Sequence, residues 1–406
     1  MKALISSIGT RGDVQPILAL AIELKALGHE ARLCVAPNFN PWVQSFGIEC
    51  VPIGPDLRQL SSAMASRPQT IPSLEQRRGL AAQAVRAQFP VMMDAARGCD
   101  VVVAGGALQL ATRSVSEALE LPYVFVAYCA AALPSPLHPP AQIWEHHSQS
   151  LSAGENMALW DAERLRWNEL FLDVMNEERA KRGLQSIGSV HEYILTDDPW
   201  LAADPTLGPA GTAQHLRIVQ TGAWMLKDER PLPAEVEAFL AGGPSPVYFG
   251  FGSMRAAQDT SRVLVESARA LGMRSIISQG WGDLHQIDTG SDCLLIDDVA
   301  HEKLFLRVAA AVHHGGAGTT AAAAGAGIPQ LIVPHLYDQY YWAHRVQQLG
   351  IGVSGPVHDE LDVAELTAAL RSCLNFDTRE RAYLVGERIE RRGARMAAER
   401  LIREYA

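Results

Sequence analysis

The sequence predicts an α/β protein in which two Rossmann-like parallel-sheet domains face each other across a central cleft. Short apolar runs alternate with helical patterns, which is the order that parallel βαβ units require. This alternation restarts after residue 246, and each half opens with a strand that leads into a glycine-containing turn. The chain has 406 residues, of which 48% are hydrophobic and 20% charged, so it contains enough apolar material for two cores.

The first half begins with a buried-strand pattern from Ala3 to Ile8, followed by a loop from Gly9 to Asp13. Apolar residues then recur at helical spacing from Val14 to Leu27, and the pattern stops at Gly28. Further apolar runs predict strands at 31–36, 101–104 and 123–126. Two proline-punctuated segments, 56–78 and 129–150, predict long loops. Loops of this length often bind ligands, although they could also be plain surface.

The second half starts after residues 222–246, which hold four prolines, several glycines and a charged run. A strand at 247–251 leads into Gly252-Ser-Met254, and a helix follows at about 259–271. Later apolar runs predict strands at 274–278, 293–296, 310–313 and 330–333. The predicted organisation is an N-terminal domain at 1–221, a linker region at 222–246, a C-terminal domain at 247–378, and helices at 379–406 that could pack back on the first domain.

Composition limits the partners of this chain. The formal net charge of -10 argues against nucleic acid, because phosphate binding needs a basic surface, and gives no indication of stable docking on an anionic membrane. No window of about 18 apolar residues predicts a membrane span, and the N-terminal apolar run is too short for a signal peptide. The six cysteines form no C-x-x-C pair, which favours free thiols in a reducing cytoplasm.

The glycine turn at 312–320 is the most informative segment of the chain. A strand leads into His314-Gly-Gly-Ala-Gly-Thr319, and a helix of small residues follows. Backbone N–H groups at a helix start are unpaired and lie at the positive end of the helix dipole, so this turn could hold a diphosphate without a metal. The alternative is a tight βα turn with Thr319 or Thr320 as the N-cap. Neighbouring strand residues point to opposite faces, so His313 and His314 do not predict a metal site.

Several motifs together resemble glycosyltransferase family one. His314-Gly-Gly-Ala-Gly-Thr319, followed by Pro334-His-Leu-Tyr-Asp-Gln339, is similar to the donor-binding signature of that family. Gly9-Thr-Arg-Gly-Asp-Val-Gln-Pro16 is similar to its acceptor-side loop. Segments 197–230, 250–253 and 279–284 are similar to the bacterial branch that glycosylates glycopeptide antibiotics. The resemblance covers nearly the whole chain and is weakest over about 55–95 and 128–190.

This resemblance implies the GT-B fold and a role for each matching residue. It implies that the donor diphosphate is held by Arg11, Ser253, His314, Gly316, Gly318 and Thr319. It places the pyrimidine base against the backbone of Val299 and near Trp281, for which cleft packing is the alternative. It assigns the sugar hydroxyls to Asp338 and Gln339, for which a polar turn is the alternative. The family needs no metal and no cofactor, since the nucleotide sugar is a co-substrate.

Asp13 matches the general base that the family uses. Transfer with inversion requires removal of the acceptor proton during attack on the anomeric carbon, and a positioned carboxylate accelerates such a step by roughly 10²- to 10⁴-fold. The alternative from the residues alone is that Asp13 caps the helix that begins at Val14. The two roles are compatible, because a residue at a helix start can also lie at the rim of the cleft.

The predicted reaction is inverting transfer of a hexose from a UDP- or dTDP-sugar to a hydroxyl of a small hydrophobic natural product. The aromatic residues Trp144, Trp160, Trp167 and Phe171 either line the acceptor pocket or pack a helix pair. Two alternatives are a sterol or lipid glycosyltransferase and a non-catalytic protein that binds nucleotide sugars. An NAD-dependent enzyme is set aside, because no G-x-G-x-x-G follows the first strand.

Overall fold

The fold consists of two parallel β-sheets, each covered by helices. The computed structural model describes residues 1–59, 72–141, 147–211, 216–254, 257, 259–281, 284–358 and 361–406. The first sheet has the strand order β3-β2-β1-β4-β5-β6-β7. Its strands are β1 Lys2–Ser7, β2 Glu30–Val35, β3 Glu49–Pro52, β4 Val101–Gly105, β5 Tyr123–Ala127, β6 Trp200–Leu201 and β7 Val219–Gln220. Each adjacent pair in this order is parallel.

The second sheet repeats the same plan with the order β10-β9-β8-β11-β12-β13. Its strands are β8 Val247–Gly250, β9 Ser275–Ser278, β10 Cys293–Ile296, β11 Ala310–His313, β12 Gln330–Ile332 and β13 Gly352–Ser354. All of its adjacent pairs are parallel. Both orders follow the doubly wound 3-2-1-4-5-6 pattern, which confirms the predicted α/β fold. In such sheets ligands bind at the carboxyl ends of the strands where the order reverses, namely beside β1 and β4 and beside β8 and β11.

Helices connect the strands and close the chain. The helices of the first half are α1 Arg11–Ala26, α2 Asn40–Ser45, α3 Leu74–Ala95, α4 Thr112–Ala118, α5 Ala153–Ala180 and α6 Val190–Leu195. Those that follow are α7 Ala234–Ala241, α8 Thr260–Arg269, α9 His301–Phe305, α10 Ala317–Gly325, α11 Gln339–Gln348, α12 Val363–Cys373, α13 Phe376–Gly386 and α14 Gly393–Tyr405. Short 3₁₀ turns lie at Pro37–Phe39 and Ala130–Ala132. No helix within these described ranges combines the length and apolarity needed to cross a membrane.

The long segments that the sequence predicts as loops contain some helical residues. Helix α3 begins at Leu74, inside the predicted loop 56–78, because Ser73 and Gln76 close a capping box at its N-terminus. The parts at 60–71 and 142–146 lie outside the described residues. Helix α7 lies inside the predicted linker region 222–246, and its Val236 and Leu240 are buried in a cluster with residues of the second sheet.

The C-terminal helices connect the two halves. Helix α13 contacts α10, whereas α14 packs along α1 of the first half. Ala397, Ala398 and Leu401 of α14 are completely buried in the same core cluster as the inner face of α1. Between these helices, the N–H group of Glu390 donates to the buried carboxylate of Asp204 at 2.8 Å. The end of the chain therefore runs from the glycine-turn helix of the second half to the first helix of the first half.

Candidate active site

The first turn, between β1 and α1, is closed by its own side chains. Thr10 is the N-cap of α1 and Asp13 is the third helical residue. The Asp13 Oδ2 atom accepts the Thr10 N–H at 2.7 Å, and the Thr10 hydroxyl lies 3.4 Å from the same oxygen. A Cβ at Gly9 would lie 2.1 Å from this oxygen, so only glycine fits there. Asp13 is therefore not the N-cap that the residues alone allowed, but it does complete the capping box.

The carboxyl group of Asp13 is partly buried at the start of α1. Burial raises its pKa to about 6, and the hydrogen bonds from Thr10 oppose this shift. The Tyr128 hydroxyl, which follows β5, donates to the Asp13 carbonyl oxygen at 3.1 Å and so fixes the start of the helix. A carboxylate with a pKa near the working pH can accept a proton efficiently and still be ionised before the reaction.

The second turn, between β11 and α10, is open. Its N-cap is Gly316, which has no capping side chain, and the first turn of α10 holds no acidic residue. The N-cap is therefore neither Thr319 nor Thr320. Thr320 donates both its N–H and its hydroxyl to the Gly316 carbonyl at 3.0 Å. The N–H groups of the first helical residues have no partner within the helix, so they are available to an anion.

Glycine is required in this turn by conformation and by space. Gly315 has φ +92°, and a Cβ there would lie 2.7 Å from Cγ2 of Ile332. A Cβ at Gly316 would lie 2.6 Å from Nε2 of His314. The absence of side chains thus brings the backbone close to the histidine ring.

The two adjacent histidines have different environments. His313 is completely buried, with Nε2 at 2.9 Å from Gln330 Oε1 and Nδ1 accepting the Gly315 N–H at 3.1 Å. His314 is only partly buried, and its Nδ1 atom has no hydrogen-bond partner of good geometry among the described residues. Burial lowers the pKa of His314 to about 3; the charge of His313 adds to this shift and the Gly250 backbone opposes it. His314 is thus a neutral imidazole at the edge of the glycine turn.

The loop after β8 lies against His314. Gly252 has φ +59°, and a Cβ there would lie 3.1 Å from Cε1 of His314. Ser253 follows directly and is partly buried, so it lies one residue from the glycine that contacts His314. The Gly252 carbonyl accepts the N–H of Trp281 at 2.8 Å, which ties the loop after β9 to the loop after β8.

Trp281 and Val299 lie in the loops that follow β9 and β10. The Trp281 ring stacks on Phe39 of the first half, with ring centroids 6.0 Å apart and planes inclined by 20°. Val299 is buried between β10 and α9 with 7% of its surface exposed. Trp281 therefore reaches the opposite domain, while Val299 can present only its backbone to a ligand.

Asp338 lies at the start of α11, as its N-cap residue. Its Oδ2 atom accepts the indole N–H of Trp342 at 3.0 Å. Burial raises the pKa of Asp338 to about 7; the Trp342 hydrogen bond opposes the shift and the charge of Asp13 adds to it. The two carboxyl groups, one from each half of the chain, are therefore near enough for their charges to interact.

Gln339 holds the loop that carries Asp338. The side chain is 4% exposed, and its Oε1 atom accepts the N–H groups of His335 at 2.7 Å and Leu336 at 3.0 Å. This oxygen is therefore occupied within the protein. The sequence did not indicate this role of the glutamine.

Arg11 lies between the two halves. One guanidinium nitrogen is 2.7 Å from Asp298 Oδ1, and the group lies 4.8 Å from the ring centroid of Trp42. Asp298 also pairs with Arg230 at 3.0 Å. The cation thus already has an anionic partner in the second half, and the side chain remains 40% exposed.

The aromatic residues of α5 pack against α6 and against each other rather than lining an open pocket. Trp160 and Trp167 are 4% and 9% exposed, and both rings lie within 6 Å of the ring of His191. Phe171 packs on Trp167 at 5.3 Å. Trp144 lies outside the described residues. The packing interpretation therefore holds for these three residues.

Sequence reasoning missed the groups that position the two carboxylates. These are Thr10 and Tyr128 beside Asp13, and Trp342 beside Asp338. Trp342 could have been found, because a residue four positions along a helix lies over the N-cap. Tyr128 is 115 residues from Asp13, so no local sequence pattern indicates their contact. In the described part of the chain, no three histidine, cysteine or acidic side chains come together as metal ligands.

Two doubly wound sheets, with an open glycine turn in one half and a partly buried carboxylate in the other, have the arrangement of the GT-B fold. Residues 3–132 match the glycosyltransferase family 28 N-terminal domain, and residues 284–393 match the erythromycin biosynthesis protein CIII-like C-terminal domain. Glycosyltransferase GtfC of Amycolatopsis orientalis is 43% identical over 99% of this chain and 97% of its own length. The vancomycin aglycone glucosyltransferase of the same organism is 40% identical with the same coverage. The chain belongs to glycosyltransferase family one, together with the bacterial glycopeptide-antibiotic enzymes.

More distant proteins agree with this assignment. The crystal structure of the glycosyltransferase VinC in complex with dTDP matches with a TM-score of 0.69 and 19% identity over 99% of each chain, which supports the fold. A sterol 3-beta-glucosyltransferase of Arabidopsis thaliana is 31% identical over 92% of this chain but only 61% of its own length. The sterol enzymes are thus less similar to this chain than the antibiotic enzymes are.

Proposed function

We propose that this glycosyltransferase is inverting and metal-independent, and transfers a hexose from a UDP- or dTDP-sugar to a hydroxyl of a small natural product. The observation that carries the proposal is that the charges of Asp13 and Asp338, one from each half, act on each other beside an open helix start. A transferase needs both a base for the acceptor and a partner for the donor sugar in one cleft. The relatives from antibiotic biosynthesis support a multi-hydroxylated natural product as the acceptor.

Asp13 acts as the general base in this proposal. Its carboxylate takes the proton of the acceptor hydroxyl while that oxygen bonds to the anomeric carbon, and the bond from this carbon to the diphosphate breaks. The Thr10 N–H holds the carboxylate in place without protonating it, and the Tyr128 hydroxyl holds the Asp13 backbone through its carbonyl oxygen. Attack from the side opposite the diphosphate inverts the anomeric configuration.

The second turn stabilises the leaving diphosphate. The N–H groups of Gly318 and Thr319, the Thr319 hydroxyl and the Ser253 hydroxyl are all donors near the start of α10. His314 adds an N–H donor from a neutral imidazole whose Nδ1 lacks a partner among the described residues. Donors fixed before the reaction stabilise charge that develops on the leaving group, which replaces the usual role of a metal. Arg11 reaches the phosphates only after it leaves Asp298.

The remaining contacts bind the nucleoside and the sugar. The Val299 backbone pairs with the pyrimidine, and Trp281 covers it from the cleft side. Asp338 accepts hydrogen bonds from the sugar hydroxyls, whereas the occupied Oε1 of Gln339 leaves its amide N–H groups for that purpose. The buried carboxylate of Asp338 gains most from such donors, because a hydroxyl that donates to it offsets its desolvation.

The test combines binding with transfer. UDP and dTDP are titrated by calorimetry with and without EDTA, and UDP-glucose and dTDP-glucose are then incubated with an acceptor panel. The panel contains vancomycin aglycone, 4-methylumbelliferone and a plant sterol, and products are found by mass spectrometry. We expect EDTA-independent nucleotide binding and a β-glucoside from the α-linked donor, with the anomeric configuration read by NMR.

The alternatives make different predictions in the same experiment. Transfer to the sterol alone would replace the natural-product acceptor with a lipid. Nucleotide binding without transfer, and without slow hydrolysis of either donor, would favour a non-catalytic nucleotide-sugar-binding protein. Binding that disappears with EDTA would contradict the metal-independent site.

A further inference from the structure

Tyr337 has a backbone conformation that its position does not explain. Three non-glycine residues in the described ranges have positive φ: Glu120 at 54°, Thr196 at 64° and Tyr337 at 57°. Thr196 is the C-cap of α6 and Glu120 directly follows the C-cap of α4, which are places where left-handed residues are common. Tyr337 instead precedes the N-cap of α11. A left-handed residue of this size persists only when its surroundings fix it, and such strain clusters at functional sites.

The surroundings of Tyr337 do fix it. Gln339 holds the two N–H groups before it, and Asp338 is held by Trp342 directly after it. Helix α11 is in turn fastened to the first half, because Arg345 donates to the Leu207 carbonyl at 2.7 Å. The loop therefore presents Tyr337 at the boundary between the two halves.

Tyr337 directly precedes Asp338 in the chain, and its phenol is near enough to Asp338 and Asp13 for both charges to act on it. Burial raises its pKa strongly, and the groups that add to the shift are Asp338, Cys129, Asp13 and Glu163, in that order. Three of these four neighbours belong to the first half, which holds the acceptor side of the site. Residues 128–129 lie against the start of α1, since the Tyr128 hydroxyl donates to the Asp13 carbonyl.

The hydroxyl of Tyr337 makes no hydrogen bond to another described residue, in contrast to nearby tyrosines. Tyr128 donates to the Asp13 carbonyl at 3.1 Å, and Tyr340 donates to the His335 carbonyl at 3.4 Å. A half-buried phenol usually finds a partner. Next to the base and the sugar-binding carboxylate, the partner that fits is a substrate hydroxyl.

We propose that Tyr337 is a specificity-determining residue whose hydroxyl bonds a second polar group of the acceptor, beside the oxygen that attacks. Its ring fills the gap between the sugar and the acceptor and keeps water from the anomeric carbon. The chemical class that it selects is a phenol or polyol with neighbouring oxygens. This inference rests on the proposed transferase function.

The test uses Tyr337→Phe, Tyr337→Gly and the matched control Tyr340→Phe. Each is assayed for nucleotide affinity, for hydrolysis of UDP-glucose and dTDP-glucose in water alone, and for KM with whichever of vancomycin aglycone or 4-methylumbelliferone the wild type glycosylates. For Tyr337→Phe we expect an acceptor KM about 3- to 10-fold higher, because one neutral hydrogen bond to the acceptor is lost. For Tyr337→Gly we expect the same loss and donor hydrolysis at least about 5-fold faster.

Two further readouts separate this role from a structural one. Glycine adopts positive φ without strain, which offsets part of the loss of the ring contacts, so Tyr337→Gly should stay folded and melt close to the wild type although it performs worse. Nucleotide affinity should be unchanged in all three variants, and Tyr340→Phe should keep the wild-type acceptor KM. Wild-type KM and hydrolysis in both Tyr337 variants would overturn the inference. Failure of the wild type to bind UDP and dTDP would instead overturn the proposed function.

Discussion

The two glycine turns share a backbone plan but differ in their side chains, most of all at the third helical position. Each follows the strand beside a switch point, and each has an exposed glycine as the second helical residue, Gly12 in the first and Gly318 in the second. The third helical residue is Asp13 in the first turn and Thr319 in the second. In the first turn, the Asp13 carboxylate accepts a backbone N–H at the helix start. The second turn has no acidic residue and no capping side chain.

This difference explains how, in the proposed function, the same strand-turn-helix topology can act on the acceptor in one half and bind the diphosphate in the other. The dipole of α1 is offset by a charge within the protein, so that turn repels a second anion and offers a base. The dipole of α10 is not offset, so an anionic ligand can bind there. In the proposed function, the residue at the third helical position therefore decides whether the turn provides a base for the acceptor or donors for a diphosphate.

The largest effect is expected from Asp13→Asn. The amide can still accept the Thr10 N–H, so the turn should keep its shape, but it cannot take a proton from the acceptor. We expect the turnover rate to fall by roughly 10²- to 10⁴-fold while nucleotide affinity stays within about twofold. Single-turnover transfer and calorimetric titration of UDP and dTDP measure the two quantities separately.

Asp13→Glu provides the matched control, because it keeps the charge and moves it by one methylene. Partial activity in Asp13→Glu together with none in Asp13→Asn would fit a base whose position matters. An Asp13→Asn protein with the wild-type rate would remove Asp13 from the chemistry and leave it as a helix cap only.

The second-largest effect is expected from Thr319→Asp, which gives the second turn the carboxylate of the first. Two like charges about 4–6 Å apart repel by several kcal/mol at an effective dielectric constant of about 20. We therefore expect nucleotide affinity to fall by at least about 50-fold. The folded protein should be more stable by about 0.3–1 kcal/mol without ligand, because an acidic residue near a helix start offsets the dipole.

Thr319→Asn is the neutral control for this change, since it matches aspartate in size. It should lower nucleotide affinity only slightly and leave the unliganded protein near its wild-type stability. If Thr319→Asp and Thr319→Asn weakened the nucleotide equally, shape rather than charge would account for the difference between the turns.

The fold and the local motifs could be predicted from the sequence, but the contacts between the halves could not. Strands β1 and β11 each contain three consecutive apolar residues. The turns after them are contiguous in the chain, so their roles could be proposed from short motifs. Strands β6 and β7 have two residues each and give no periodic signal. The stacking of Trp281 on Phe39 joins residues far apart in the chain, so no spacing rule indicates it.

A third prediction compares the charges of Asp13 and Asp338 through pH. Burial raises the pKa values of these groups to about 6 and about 7, above those of an unfolded chain. The folded protein therefore binds more protons than the unfolded chain between about pH 4 and pH 7, and its stability falls as pH rises through this window. Asp338→Asn should remove the part of this stability loss that the Asp338 charge causes, on the order of 2 kcal/mol at pH 8.

Urea unfolding of the wild type and the variant at pH 5 and pH 8 measures this effect. Asp198→Asn is the control, because the pKa of that exposed carboxyl is lowered by its bond to Arg217 and its change should be small. Equal pH dependence of stability in the wild type and Asp338→Asn would show that the charge of Asp338 does not destabilise the folded protein. Transfer activity should separately decline below about pH 6, as Asp13 becomes protonated.

The smallest effect concerns the first helical residue, which is Arg11 in the first turn and Ala317 in the second. Arg11 and Asp298 are 40% and 42% exposed, and an ion pair of this exposure contributes about 0–1 kcal/mol. Asp298→Asn should therefore shift the melting temperature by no more than about 1 °C. It should also tighten binding of UDP or dTDP by up to about fivefold, because Arg11 no longer has to leave an anionic partner to meet the phosphates. Asp297→Asn, one residue before, is the control for a general loss of negative charge, because Asp297 is also exposed. Weaker nucleotide binding in Asp298→Asn would mean that Asp298 holds Arg11 ready for the phosphates instead of competing with them.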